Sequence, residues 1–298
     1  MSTGYNTETI NVQFINQSFL DKIDNGLTKE AGVAMSAFVR QKLREDGFAR
    51  KVLNPVMITA AELDRALTEE PQVIVEKEPD SVAVNLPFLG RSELRYFTGT
   101  RYAVTFSKIE SAEFKKSKFE LATYRTDIRT VLQENSVKDL QKIEDTNFYN
   151  NILTVATANS NVYNVAGGFT VQTLMNGIKN LVAKQLPVGC ILMTHEMYAD
   201  LLKQPSTQIG SPAASDLYRG AATLDSFYGW RIITTLKNDI LPNNQAICFA
   251  PPQYLGQFYI LQDAMVFLKT EADIITFKTY EALGIGLGNV NGAVVLNF

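Results

Sequence analysis

From Thr28 onward, apolar residues recur every three or four positions: Val33, Ala34, Ala37, Phe38 and Leu43. This spacing places them on one face of a helix that Thr28 caps, with Arg40, Lys42, Arg44 and Glu45 on the other face and Gly47 as the stop. Asn54-Pro55 then breaks the chain, and a short helix is predicted over residues 60–67. Across residues 72–110 the period shortens to two. Val73, Val75, Val82, Val84 and Leu86 alternate with polar residues, and Tyr102, Val104 and Phe106 do the same. The pattern predicts a long two-stranded excursion with its tip near residues 85–95. Such a hairpin is marginal in water by itself, and no adjacent stretch offers a face to cover it, so a neighbouring subunit is the expected partner.

A 3.6-residue period returns over residues 124–158, through Ile128, Val131, Leu132, Leu140, Ile143, Phe148, Ile152 and Val155. One long helix is predicted, with Asn135-Ser136 as a place where it could divide. After a turn-rich linker at 159–168 the elements alternate: helix 171–186, strand 190–193, helix 195–203, then strands at 231–235, 246–250 and 257–261. This is an α/β pattern. Strand character closes the chain at 265–268, 274–277 and 293–296. Residues 1–28, rich in Asn, Thr and Gln with Phe14, Ile15, Phe19 and Leu20 scattered among them, read as an arm that lies on a surface, its own or a neighbour's.

Composition narrows the chemistry. With 28 Lys and Arg against 31 Asp and Glu the net charge is −3, which does not suit a protein that grips nucleic acid through phosphate contacts. A hydrophobic fraction of 46% over 298 residues is globular and suggests about two domains. Two cysteines cannot staple such a chain and fit a reducing compartment. No apolar run approaches the roughly 20 residues of a membrane span, and the polar start lacks the features of a signal peptide, so a soluble product made in the cytoplasm is expected.

General acid–base chemistry near neutral pH falls most often to histidine, and the chain has one, His195, in the first turn of a helix capped by Thr194. Cys190, His195 and Cys248 lack CxxC or HExxH spacing, so neither a metal site nor a cofactor is expected. Gly284, Gly286 and Gly288 form GxGxG, but Asn289 stands where a nucleotide loop needs its third glycine and no helix follows. Close strand packing is the reading. Lys115-Lys116-Ser117-Lys118, flanked by Glu110, Glu113 and Glu120, reads as a solvated or intersubunit charged face.

Three stretches carry a resemblance. FVRQKLREDGFAR (residues 38–50) is similar to the N-terminal helix of one group of phage coat proteins, IVEKEPDS (74–81) to the ascending strand of their extended loop, and EADIITF (271–277) to the closing strand of their peripheral domain. In this order, over most of the chain, they resemble the major capsid proteins of tailed bacteriophages, whose Hong Kong 97 fold is shared with encapsulins. The resemblance implies an α+β chain. Residues 1–28 are the arm, 29–71 the N-terminal helix and its connection, and 72–108 the extended hairpin loop. Residues 109–168 hold the peripheral domain with its spine helix, 169–262 the axial domain, and 263–298 the returning peripheral strands.

It further implies a non-catalytic shell protein that assembles as hexamers and pentamers around double-stranded DNA in the virion. Its partners are then a portal, a separate scaffolding protein, weakly and non-specifically the packaged DNA, and a decoration protein where one is used. Intersubunit contacts are implied for Glu76, Lys77, Glu78, Leu86, Pro87, Phe88, Leu89, Arg91, Arg95, Tyr96 and Phe97 in the loop, and for Phe14, Ile15, Phe19 and Leu20 in the arm. Two alternatives stay open: an encapsulin-type compartment shell, and a two-domain α/β enzyme with a site near His195, Tyr198 and Asp200.

Overall fold

Two β-sheets pack against a shared core in the computed structural model, which describes residues 21–22, 25–27, 47–64, 70–77, 85–91, 99–119, 138–202, 226–227 and 229–298. The predicted helix over 28–47, except Gly47, and the first part of the predicted long helix, 124–137, lie outside these residues. In chain order the elements are α1 (Ala49–Val52), β1 (Pro55–Met57), β2 (Gln72–Glu76), β3 (Arg101–Thr105), β4 (Ser107–Glu110), β5 (Phe114–Ser117), α2 (Lys138–Ala158), β6 (Val162–Asn164) and α3 (Val171–Val182). There follow β7 (Cys190–Thr194), α4 (His195–Leu202), β8 (Ser226–Phe227), β9 (Trp230–Thr235), β10 (Gln245–Phe249), α5 (Pro252–Leu255), β11 (Gly256–Glu271), β12 (Ile274–Leu287) and β13 (Ala293–Asn297).

The first sheet is built on β11 and β12, an antiparallel pair of 16 and 14 residues. At about 3.4 Å per residue these strands run for roughly 50 Å. β1 adds in parallel to β11, while β4 and β5 add to β12 at different heights. The sequence predicts two strands where β11 is continuous. Register shifts between Ile260 and Gln262 and between Gln262 and Met265 explain the broken alternation, because each bulge re-aims the side chains that follow it.

The second sheet runs β6-β13-β10-β7-β9-β8. Helices α3 and α4 cover one face through Leu174, Ile178, Leu181, Met197 and Leu201, which meet Ile191, Met193, Cys248, Val294 and Leu296. The other face turns Leu192, Ile247, Phe249 and Val295 toward Phe148 and Ile152 of α2 and toward Phe258 and Ile260 of β11. With both faces covered, β7 and β10 are buried at every residue and read as unbroken apolar runs. Phe148 stands between Phe48 and Phe249, with ring centroids 6.2 and 5.9 Å away.

Several expectations are corrected. Of the predicted 60–67 helix, the described residues 60–64 hold a single 3₁₀ turn, Ala60–Glu62, and Leu63 is already extended because Asp64 bridges Gln72 and its carboxylate accepts the Ile74 N–H at 2.6 Å; residues 65–67 lie outside the described residues. The 257–261 strand belongs to the long β11–β12 pair and not to the α/β block, whereas β13 sits inside the six-stranded sheet between β6 and β10. Helix α3 stops at Val182, and Gln185 closes the turn with a φ of +61°.

The hairpin of β2 and β3 also has a partner in its own chain. Val73, Val75, Tyr102 and Val104 pack with Phe106, Ile58, Tyr259 and Leu261. Glycines make this contact possible: a Cβ on Gly286 would lie 2.7 Å from the Val104 methyl. Replacing Gly286 with Ala forces apart two stiff surfaces and should cost roughly 1–3 kcal/mol in a chemical melt. A variant as stable as the parent would contradict this seating.

Candidate functional site

The hairpin joins a fixed base to an exposed tip. Its register runs from Gln72 opposite Thr105 to Glu76 opposite Arg101, and Lys77 N–H extends it by donating to the Thr100 carbonyl at 2.8 Å. One face seats on the glycine strand, while Ile74 and Ala103 on the other face are exposed. Glu76 is exposed and ion-paired with Arg101 at 2.6 Å, and Lys77 Nζ stands 6.0 Å from the centre of the Tyr102 ring. At the tip the Pro87 carbonyl accepts the Gly90 N–H at 2.7 Å, closing a turn that holds Phe88 and Leu89 outward. Their relative exposures are 103% and 94%. Leu86, Pro87 and Arg91 are exposed beside them. Glu78, Arg95, Tyr96, Phe97 and the arm residues Phe14, Ile15, Phe19 and Leu20 lie outside the described residues. Burying Phe88 and Leu89 against a partner would contribute about 1.5–3 kcal/mol each.

The residues of the enzyme reading are spread apart in character. His195 is exposed in the first turn of α4, with the Tyr198 ring 6.0 Å away, and Asp200 is exposed. Thr194 accepts the Met197 N–H at 3.3 Å, as its expected capping role requires. Cys190 and Cys248 lie on paired strands, and burial pushes both thiols up to about 12. Among the described residues no three His, Cys, Asp or Glu side chains are grouped to hold a metal ion. Lys115 and Lys116 are exposed on β5.

Sequence reasoning missed a buried charge cluster. Arg50 on α1 donates from Nε to Glu144 of α2 at 2.9 Å, and from its two terminal nitrogens to Asp263 of β11 and Glu281 of β12 at 3.3 Å each. All four side chains are almost wholly buried. The guanidinium also lies over the Phe258 ring at 5.8 Å. Beside it, Asp145 accepts the Ala49 N–H at 3.0 Å and Lys237 Nζ at 2.5 Å, holding the start of α1 against α2. In the sequence these charges appear on amphipathic patterns as ordinary solvated positions. Only the bulge at Gln262 turns Asp263 inward.

One arginine cannot neutralise three carboxylates, and protonation settles the balance. Burial, opposed by Arg50 and reinforced by Asp145 and Asp263, raises Glu144 to about 7. Burial and the nearby Glu144 raise Glu281 to about 8, and Glu281 Oε1 has no hydrogen-bond partner among the described residues to hold a charge. Burial also opposes the charge of Arg50, but Glu144, Asp263 and Glu281 outweigh it and raise the guanidinium further.

No family model and no curated protein matches the sequence. Solved structures do. A structure from Microbacterium phage Oxtober96 superposes with a TM-score of 0.60 at 11% identity, over 85% of this chain and 91% of that one. The capsid structure of cyanophage P-SCSP1u gives 0.58 at 11% identity, over 83% and 86%. This is a phage-capsid fold. The virus-like particle from Pyrococcus furiosus shares it, with a TM-score of 0.55 at 16% identity over 90% of this chain and all of that one. In this capsid fold the exposed tip and the buried cluster are the two features that single-residue chemistry distinguishes.

The cluster yields a pH dependence. In the unfolded chain both glutamates titrate near the ordinary 4.5; folded, they keep their protons to about 7 and about 8. Folding therefore takes up protons between those values. The contribution is complete below about pH 4.5 and is lost as pH rises through 7 and 8. For Glu144 alone, a rise from 4.5 to about 7 corresponds to roughly 3 kcal/mol. Urea melts should show stability falling from pH 5 to pH 8, and Glu281→Gln should flatten the slope; a flat or rising profile in the parent would contradict the assignment. Arg50→Met strands three buried carboxyls and should cost roughly 3–5 kcal/mol at pH 8.

Proposed function

We propose that this chain is the major capsid protein of a tailed bacteriophage, self-assembling into an icosahedral shell around double-stranded DNA. The role is structural and non-catalytic, and its place is the virion. The observation that carries this reading is the hairpin: a rigidly seated base and a fully exposed Phe88-Leu89 tip, on a chain with the fold of phage capsids. A monomer gains nothing from holding two large apolar side chains in water, whereas a tile gains a contact on its neighbour.

In this reading residues 72–108 are the extended loop of the Hong Kong 97 fold and overlap the adjacent subunit. Helix α2 is the spine of a peripheral domain with β11 and β12, and the six-stranded sheet with α3 and α4 is the axial domain at the capsomer centre. Hexamers and pentamers, a portal and a separate scaffolding protein follow as partners. Contact with the packaged DNA is weak and non-specific, as the net charge of −3 suits. Many modest contacts make such a shell tight while each stays reversible. The similarity to a virus-like particle supports a second reading, an encapsulin-type compartment, which differs in what the shell encloses.

Bacterial expression followed by negative-stain microscopy tests both. Closed shells, sheets or tubes of capsomers are expected, and their contents separate nucleic acid from protein cargo. Deleting residues 82–97 should leave a folded chain, with the parent's far-ultraviolet spectrum, that forms no particles. Normal shells from the deletion would overturn the role given to the hairpin. A chain that stays monomeric with scaffold present and resists proteolysis across 72–108 would overturn the shell reading.

A further inference from the structure

Among the described residues, strand β12 leaves part of one edge open. Ser111 N–H donates to the Thr279 carbonyl at 2.7 Å, and the Thr279 N–H donates to the Ser111 hydroxyl at 3.0 Å. Odd-numbered residues of β12 therefore turn their backbone groups toward β4, and even-numbered ones toward β11. β4 covers this edge only as far as Ser107, opposite Leu283. There the chain lifts away: Phe106 N–H donates to the Pro71 carbonyl, and the Thr105 carbonyl lies 3.0 Å from where a Cβ on Gly284 would stand, above the sheet face. Ile285 and Leu287 are left with N–H and C=O facing outward, and no backbone partner meets them among the described residues.

A cleft of about 610 Å³ runs along this edge. Tyr102 and Val104 of the hairpin base form one wall. Helix α2 forms the other, where Asn147, Asn150, Asn151 and Thr154 stand on one face of the helix. Among the described residues no charged side chain lines it. An open strand edge between such walls suits an extended peptide, with main-chain bonds supplying affinity and the walls selecting side chains. A charged occupant would lose hydration here without gaining a counter-charge.

Residues 9–20 of this chain carry no charge, and within them Ile10-Asn11-Val12-Gln13-Phe14 alternates apolar and amide side chains. Extended, that segment sets Ile10, Val12 and Phe14 on one side and Asn11 and Gln13 on the other. The apolar side matches the hairpin base and the amide side matches α2. The hairpin tip is the poorer match, since Arg91, Glu93 and Arg95 follow it at alternate positions. We infer that the Ile285–Leu287 edge receives residues 10–14 of a neighbouring subunit's arm as an added strand. This rests on the shell reading, which supplies the neighbour, and it closes an edge that would otherwise template uncontrolled pairing.

Two measurements test it. Particles co-assembled from Gln13→Cys and Asn151→Cys chains are oxidised and digested. A disulfide joining the two positions across the mixture is expected, and the buried Cys190 and Cys248 do not compete. Particles without that link, or a link only within a doubly substituted chain, overturn the inference. Separately, a labelled peptide of residues 8–20 is titrated onto the full chain carrying Val12→Lys and Phe14→Lys, whose own arm no longer fits. Saturable binding that weakens at least tenfold when Asn151→Lys and Thr154→Lys are added is expected. Absence of binding overturns the landing site whether or not particles form, whereas absence of particles with peptide binding intact counts against the shell reading alone.

Discussion

A guanidinium withdrawn from water must find carboxylates for its donors, and Arg50 takes them from three different elements. Glu144 fixes α2, Asp263 fixes β11 at its bulge, and Glu281 fixes β12, while the adjacent Asp145 ties the first turn of α1 to the same helix. None of these elements can shift by a residue without stranding a charge in the core. The net energy of such a cluster is modest beside the cost of breaking it, because the desolvation has already been incurred. Its main effect is geometric: it sets how the helix, the long strand pair and the N-terminal segment meet, and the two sheets then share the apolar core around Phe148 and Phe258.

The hairpin depends on that geometry in turn. Its base has no core of its own and is held because β12 runs past it with glycines where side chains would collide. The position of β12 is set by Glu281 and by its pairing with β11. A charge cluster deep in the molecule thereby fixes the strand on which the hairpin base is seated.

Much of this was legible in the sequence. Period-two alternation located β2 and β3, short apolar runs located β7, β10 and β13, and the 3.6 period located α2, α3 and α4, because burial of one face or of both leaves a regular trace in residue type. The glycine triplet was readable as close packing. Sheet membership was not, since the short apolar runs of β11 and β13 look alike whichever sheet receives them. The cluster was invisible for a related reason. Arg50 closes the very stretch that resembles a coat-protein helix, yet nothing in a linear pattern distinguishes a buried arginine from a solvated one. Asp263 is turned inward by a bulge that the alternation shows only as noise.

In the proposed shell, the seat of the hairpin makes association conditional on folding. A chain in which β11 and β12 have not yet paired offers no glycine strip, and β2 and β3 fall back on the weak stability of an isolated pair of strands. The tip is then not held at any fixed direction, and its two apolar side chains cannot meet a neighbour in register. In the proposed shell this acts as a proofreading step: only a chain that has completed its own interior carries a properly aimed hook, and an immature one joins too loosely to be retained.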